Sequence, residues 1–314
     1  MFIHRFCSTI VLLGLLFLTL LGNNIGLASY FVFGVLLSFF VTKEICEIFG
    51  NINMLTNKKV LCIANTVAFI IPFFLAQGNN IEFLRKIHIS RISFMAIPIF
   101  VLLLFIAVLI QVLCSVNDAE KLRKAMMNIA AFIFISFPVF LITIIYTLGR
   151  ERLFFPEEGA SFSLNVFFLY FILVTKSGDI GAYAIGTLCG KLMKNGTHKM
   201  IPSVSPGKSY EGLAGGIAVS VGLSYLLAYC FNINILVKNP LIPAISGLVL
   251  YFGGMYGDLV ESSIKRTCKV KDSGKTIPGI GGIYDLLDSL FLSAPCFSLH
   301  RKHSLSRKEP YNLR

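Results

Sequence analysis

Long stretches of this chain contain no Asp, Glu, Lys or Arg, and that property decides what it can fold into. Residues 6–42, 60–81, 92–117, 125–149, 159–175, 212–237 and 239–257 are all free of charge. A helix that crosses a bilayer needs roughly 20 mostly apolar residues. The first stretch holds two such helices, with Asn23-Asn24 as the turn between them. The 159–175 stretch extends through Ile180–Cys189 across a few polar residues, and a last apolar run, Ile283–Leu299, opens with two aspartates. The expected fold is all-α, a polytopic integral membrane protein with about nine transmembrane helices. Composition agrees: 55% of residues are hydrophobic and only 14% charged, with a mean hydropathy of +0.77, which excludes an ordinary soluble globule and a disordered chain. The first run, after His4 and Arg5, has the look of a signal sequence ending near Ala28, but the many later spans make an uncleaved first helix the simpler reading.

The balance of 28 basic against 16 acidic residues gives a net charge of +12. Nucleic acid, anionic lipid and phosphorylated substrates all attract such a chain, and the hydrophobicity favours the last two over nucleic acid. Part of the excess is the cytoplasmic bias of Lys and Arg in membrane proteins. With the N-terminus inside, Lys43, Lys58 and Lys59, then Lys121, Arg123 and Lys124, then Lys191, Lys194, Lys199 and Lys208, then Lys265, Arg266, Lys269, Lys271 and Lys275 all fall in cytoplasmic loops. Arg85, Lys86 and Arg91, and the tail from Arg301 to Lys308, run against that pattern. The eight cysteines form no CxxC pair and sit mostly in apolar runs, as reduced packing residues.

The chain divides by composition into N-terminal transmembrane helices (1–160), a C-terminal catalytic transmembrane region with cytoplasmic loops (161–300) and a basic tail (301–314). The second region is rich in glycine. Gly186-x-x-x-Gly190, Gly212-x-x-x-Gly216 and Gly253-x-x-x-Gly257 are spacings that allow close helix approach.

Five of the six aspartates, Asp179, Asp258, Asp272, Asp285 and Asp288, also lie in the second region. Charges near membrane depth usually mark a functional site. Asp258 ends an apolar run while Asp285 and Asp288, three apart on one helical face, begin the next. Carboxylates that converge repel one another, and a hard divalent cation is the usual compensation; Mg²⁺ prefers such oxygens together with substrate phosphates. Pairing of each aspartate with a Lys or Arg is the plainer alternative. Five cations stand between Asp258 and Asp285, followed by Pro278 and a run of glycines that frees backbone N–H groups before a helix start, where an anion is favoured. These are parts that phosphoryl or nucleotidyl transfer needs. In the loop Pro202–Gly212, Ser205, Lys208 and Ser209 have hydroxyl and ammonium groups suited to phosphate oxygens, and Glu211 a carboxylate suited to a partner cation.

Ser262, Ile264, Lys265, Arg266, Lys271, Asp272, Gly274, Ile277, Pro278, Gly281, Gly282, Ile283, Asp285, Leu287 and Asp288 stand in one register without a gap. This run resembles the C-terminal pattern of the phosphatidate cytidylyltransferases (CDP-diacylglycerol synthases). A second block, Asp179-x-Gly-Ala-Tyr-x-x-Gly with Ser205-Pro-x-Lys208-x-x-Glu211-Gly212, is also similar to that family. The likeness covers roughly residues 160–300. Ile280 and Leu286 depart from it, standing where the family usually has His and Arg, and Ser209 stands for the usual Thr.

The resemblance implies the reaction CTP + phosphatidate → CDP-diacylglycerol + pyrophosphate. It implies Mg²⁺ on Asp258, Asp285 and Asp288, with Lys265 and Arg266 completing the catalytic set. Ser205, Lys208, Glu211, Lys271 and Asp272 are then the substrate-binding residues. The implied setting is a multi-pass protein of the bacterial inner membrane, its site facing the cytoplasm among membrane lipids, with no nucleic-acid partner; a homodimer is compatible with it. Two other classes compete. A CTP-dependent lipid kinase would move the γ-phosphate. A cation-coupled transporter would carry its carboxylates in the middle of spans, whereas here they fall at span ends.

Overall fold

The structure, a computed structural model, describes residues 2–52, 58–76, 118–150, 164–193, 196–237, 239–279 and 281–306. The elements in chain order are α1 (Phe2–Leu20), α2 (Asn24–Gly50), α3 (Lys58–Ala76), α4 (Ala119–Leu148), α5 (Val166–Leu192), β1 (Lys199–Ile201), β2 (Ser205–Ser209), α6 (Tyr210–Cys230), α7 (Asn234–Val237), α8 (Leu241–Thr267) and α9 (Ile283–Ser306). The protein is an all-α membrane protein. Among the described residues, α2, α4, α5 and α6 are each long and apolar enough to cross a bilayer by length and composition. The span expected over 92–117 and the cations Arg85, Lys86 and Arg91 lie outside the described residues.

Two compact units make up the chain. The first contains α1 to α4 and the segment Thr267–Leu286. Asn23 divides α1 from α2 as the sequence predicts: its side chain accepts the Gly26 N–H at 3.1 Å and so caps α2. Gly26 approaches the Leu21 carbonyl, and its own carbonyl accepts the Tyr146 hydroxyl at 3.0 Å. Gly34 leaves space for the ring of Phe69, and Tyr30 stacks on Tyr146 with ring centroids 3.6 Å apart. The core of this unit is Phe69, Ile135, Phe140, Ile145 and Tyr146, while Phe6, Val11, Leu13 and Phe17 of α1 are exposed, as on a helix that meets lipid.

The second unit contains α5 to α8, the β1–β2 ribbon and α9 from Leu287 onward. The ribbon is antiparallel, with Lys199 opposite Ser209 and Ile201 opposite Ser205, and its turn is made by Pro202 and Ser203. It is short and leads into α6, whose N-cap is Ser209, accepting the Gly212 N–H at 3.1 Å. Small residues set the helix spacing. A Cβ on Gly181 would meet Val219, and one on Gly215 would meet Ile185, so α5 and α6 pack nearly backbone to backbone. Tyr251 of α8 fills the space left by Gly178 and Gly216. Gly253 and Gly257 lie against the backbone of α9 at Ser293 and Asp288. Of the three glycine pairs singled out in the sequence, only Gly190 faces no neighbouring helix closely; a Cβ there would touch Thr197.

The sequence suggests that α8 ends near Asp258, but the helix continues to Thr267. The added turns are stabilised by the Glu261–Lys265 pair four residues apart and by Lys265 and Arg266 at the negative end of the helix dipole.

Candidate active site

In the second unit α8 presents Asp258 and Glu261 three residues apart, on one helical face. Asp288 of α9 joins them because Gly257 has no side chain: its Cα faces the Asp288 carbonyl and the Ser289 Cα directly. One oxygen from each of Asp258, Glu261 and Asp288 lies within 4.8 Å of the others. Each carboxylate also has a lysine. Lys208 Nζ is 2.9 Å from Asp258 Oδ2 and donates to the Met255 carbonyl at 2.8 Å. Lys265 Nζ is 3.0 Å from Glu261 Oε1, and Lys176 Nζ of α5 is 3.4 Å from Asp288 Oδ1. Asp179, one turn beyond Lys176, lies in the electrostatic field of Asp288, Asp258, Lys176 and Lys208. By formal count, four carboxylates stand against three ammonium groups.

Such a constellation does two things chemically. Three oxygens at this spacing are a donor set for a hard cation. Three lysines brought to it by separate elements are mobile cations that phosphate oxygens can recruit. The degree of exposure fits a mouth open to solutes on one side: the Asp258 side chain is 31% exposed and the Glu261 side chain 2%.

Asp285 accepts the backbone N–H groups of Ser273, at 3.1 and 3.2 Å from its two oxygens, and of Gly282, at 3.0 Å. It belongs to the first unit and lies outside the Asp258–Glu261–Asp288 trio. Arg266 is exposed on the last turn of α8, and Lys271 and Asp272 are exposed in the loop that follows. Ser205 is half-buried in β2. Glu211 accepts from the His198 ring nitrogen Nδ1 at 2.7 Å and from the His198 backbone N–H at 3.2 Å. Leu286 is half-buried, and Ile280 lies outside the described residues.

The start of α9, expected to be open to an anion, already holds one. Glu44 of α2 accepts the N–H groups of Ile283 at 3.0 Å and Tyr284 at 2.9 Å. Its two oxygens also accept the Ser273 hydroxyl, at 3.2 Å, and the Thr276 hydroxyl. The start of α9 therefore offers no vacant helix terminus to a further anion.

The chain is similar to proteins in three bacteria over part of its length. It is 40% identical over 129 residues to the uncharacterized protein YnbB of Escherichia coli, covering 41% of this chain and 40% of that one. It is 36% identical over 140 residues to a phosphatidate cytidylyltransferase of Mycobacterium bovis, covering 45% and 41%. It is 38% identical over 135 residues to a phosphatidate cytidylyltransferase of Staphylococcus aureus, covering 42% and 48%. The matched segment thus spans less than half the length of each relative. The family model described as the cytidylyltransferase family matches residues 3–303, nearly the whole chain and including α1 to α4, so this protein belongs to the cytidylyltransferase family.

Proposed function

We propose that this protein is a phosphatidate cytidylyltransferase: it joins phosphatidate to the cytidylyl group of CTP, giving CDP-diacylglycerol and pyrophosphate. The observation that carries this reading is the trio Asp258, Glu261 and Asp288 with Lys176, Lys208 and Lys265, set in a helical membrane protein of this family. An unesterified phosphate oxygen of phosphatidate bonds to the α-phosphorus of CTP. The bond from that phosphorus to the oxygen bridging to the β-phosphate breaks, and pyrophosphate leaves with the electron pair. Both reactants are anions, so their mutual repulsion is a large part of the barrier. Lys208 and Lys176, both partly exposed, turn from Asp258 and Asp288 towards the phosphates of the two substrates. Lys265 stays with the nearly buried Glu261 and holds its orientation. The lipid phosphate has a second pKa of about 6, so it is largely dianionic near neutral pH and no general base is required.

The donor set fits a divalent cation: carboxylate oxygens alone, close together, on two packed helices. Mg²⁺ would be held by Asp258, Glu261 and Asp288, and when bound it supplies charge neutralisation at the polyphosphate. Asp285, Arg266, Lys271 and Asp272 belong to this reading as groups of the adjoining helix start and loop, and Ser205 and Glu211 as groups of the ribbon and the first turn of α6. The reading puts the basic loops in the cytoplasm of a bacterial inner membrane, since CTP is a cytosolic reactant.

The test is a detergent-micelle assay with phosphatidate, Mg²⁺ and CTP labelled at either the α- or the γ-phosphate. Transfer of the α-label into lipid, with release of pyrophosphate, is expected. Transfer of the γ-label would make the protein a lipid kinase, and no transfer of either would refute the enzyme reading.

A further inference from the structure

We propose that Glu44, in the half of the chain that otherwise reads as plain membrane helix, is a positioning residue for the transfer site, acting through the start of α9, the helix that carries Asp285 and Asp288. The first N–H groups of any helix lack partners within it, and a side chain at the N-cap normally supplies one. Here the N-cap is Gly282, which has no side chain. Its place is taken by groups from other parts of the first unit, and every early N–H is accounted for. The Gly282 N–H goes to Asp285 Oδ2 at 3.0 Å, the reach-back arm of a capping box. The Ile283 and Tyr284 N–H groups go to the two oxygens of Glu44 at 3.0 and 2.9 Å. The Asp285 N–H goes to Ser273 Oγ at 3.3 Å, and that hydroxyl donates onward to Glu44 Oε2 at 3.2 Å. Glycine at 282 is required, because a Cβ there would run into Ser273 Oγ and the Glu44 carboxylate.

Glu44 is 1% exposed, and among the described residues no lysine or arginine forms an ion pair with it. Burying a carboxylate is costly unless it is fully hydrogen-bonded. Four donors and the positive end of the α9 dipole compensate it. Each oxygen takes one backbone N–H and one hydroxyl, with Thr276 completing the Oε1 side. The segment ahead of α9 is fixed as well. Arg5 Nε donates to the Gly279 carbonyl at 2.6 Å and Ser8 Oγ to the Pro278 carbonyl at 2.9 Å. Ile277 and Gly281 exchange two backbone hydrogen bonds, with Gly279 and Gly281 at φ of +80° and +129°. A segment held this firmly does more than link two helices. Its products are the rotamer of Asp285, fixed by two backbone donors from Ser273 and Gly282, and the starting point of the helix that carries Asp288.

The functional half of this proposal rests on the cytidylyltransferase reading, so its test has one arm that needs no activity. The full-length protein in detergent is compared with Glu44→Gln and Glu44→Asp. A Gln amide opposes its NH₂ to a backbone N–H, and an Asp is one methylene too short to reach both. Amide hydrogen exchange at Ile283, Tyr284 and Asp285 is expected to accelerate at least tenfold in both variants, with α6 and α8 unchanged. In the second arm, Glu44→Gln is expected to lower kcat at least tenfold with the KM for CTP within about twofold of the parent. Adding it to Asp285→Asn should cost nothing further, because residues that act through one another are not additive. Parental exchange rates at the three amides would overturn the cap, and a double variant slowed by the product of the single effects would overturn action through a cap shared with Asp285. If the parent transfers nothing from CTP, the function reading fails while the exchange arm still decides the cap.

Discussion

Replacing Asp288 by Asn removes one charge and almost no volume, which makes Asp288→Asn the sharpest probe of the acidic trio. Its oxygen lies within 4.8 Å of those of Asp258 and Glu261. At the outer limit of that spacing and an effective dielectric of about 20, each like-charge pair repels by roughly 3.5 kcal/mol, so Asp288 bears at least about 7 kcal/mol from its two neighbours. Lys176, at 3.4 Å, offsets about 5 kcal/mol on the same scale. On this scale the repulsion exceeds the attraction by about 2 kcal/mol, and the Asn variant loses both. Its thermal midpoint without divalent cation should therefore stay within about 5 °C of the parent's. With Mg²⁺ the parent should be stabilised, and the variant less so, because one of three ligands has lost its charge. Turnover should fall on the order of 10²–10³-fold, as when one electrostatic contact to a reacting group is deleted. The assay is purified protein in detergent, with thermal unfolding followed with and without Mg²⁺ and pyrophosphate release measured on the same preparation. A purely structural salt bridge gives the opposite pattern: a lower midpoint regardless of Mg²⁺, with turnover per folded molecule retained. Parent-like turnover with the parent's Mg²⁺ dependence would refute the reasoning.

Lys208→Met removes the contacts to Asp258 and to the Met255 carbonyl and should depress turnover strongly with the fold intact, whereas Lys208→Arg keeps the charge and should recover only part; kinetics on folded protein checks both. Gly257→Ala drives a methyl group into the Asp288 carbonyl, so α9 must shift; a loss of about 1–3 kcal/mol in stability and a raised Mg²⁺ requirement are expected, read by unfolding and by Mg²⁺ titration. Single cysteines introduced by Ser203→Cys or Lys271→Cys, in a background without native cysteines, should resist an impermeant thiol reagent in intact cells and react after lysis; labelling from outside would reverse the proposed orientation.

How much of this was legible in the sequence varies from residue to residue. Charge-free runs reveal helices well, because a bilayer leaves few alternatives, and Asn23 marks its turn by chemistry that is local. Asp258 and Asp288 are legible because their spacing and neighbours follow a recognisable pattern. Glu261 was within reach of the same logic, lying one helical turn after Asp258. It is hidden by the expectation that a span stops at its first charge, although α8 runs on to Thr267. Lys176 sits in mid-sequence between apolar runs, and nothing local ties it to Asp288, 112 residues away. Glu44 is the hardest case. Its hydroxyl and N–H partners are separated from it by 229 to 240 residues. Only the absence of a capping side chain at Gly282 hints that the donor set must be satisfied from elsewhere.

The close helix approaches of the second unit reverse the usual relation between the size of a side chain and its importance. In water, large buried side chains carry most of a fold. Lipid is as apolar as leucine, so helix association there depends on how nearly two backbones can meet. Leu226 and Tyr256 are 57% and 53% exposed and should accept many substitutions. Gly178, Gly181, Gly215, Gly216 and Gly253 have no room for one methyl group without displacing a neighbour. A saturation library scored by growth should therefore show a ladder of intolerant positions that are the smallest residues in the chain, with permissive large ones between them. A scoring matrix trained on soluble proteins, where glycine within a helix is a weakness to be repaired, would rank this region backwards.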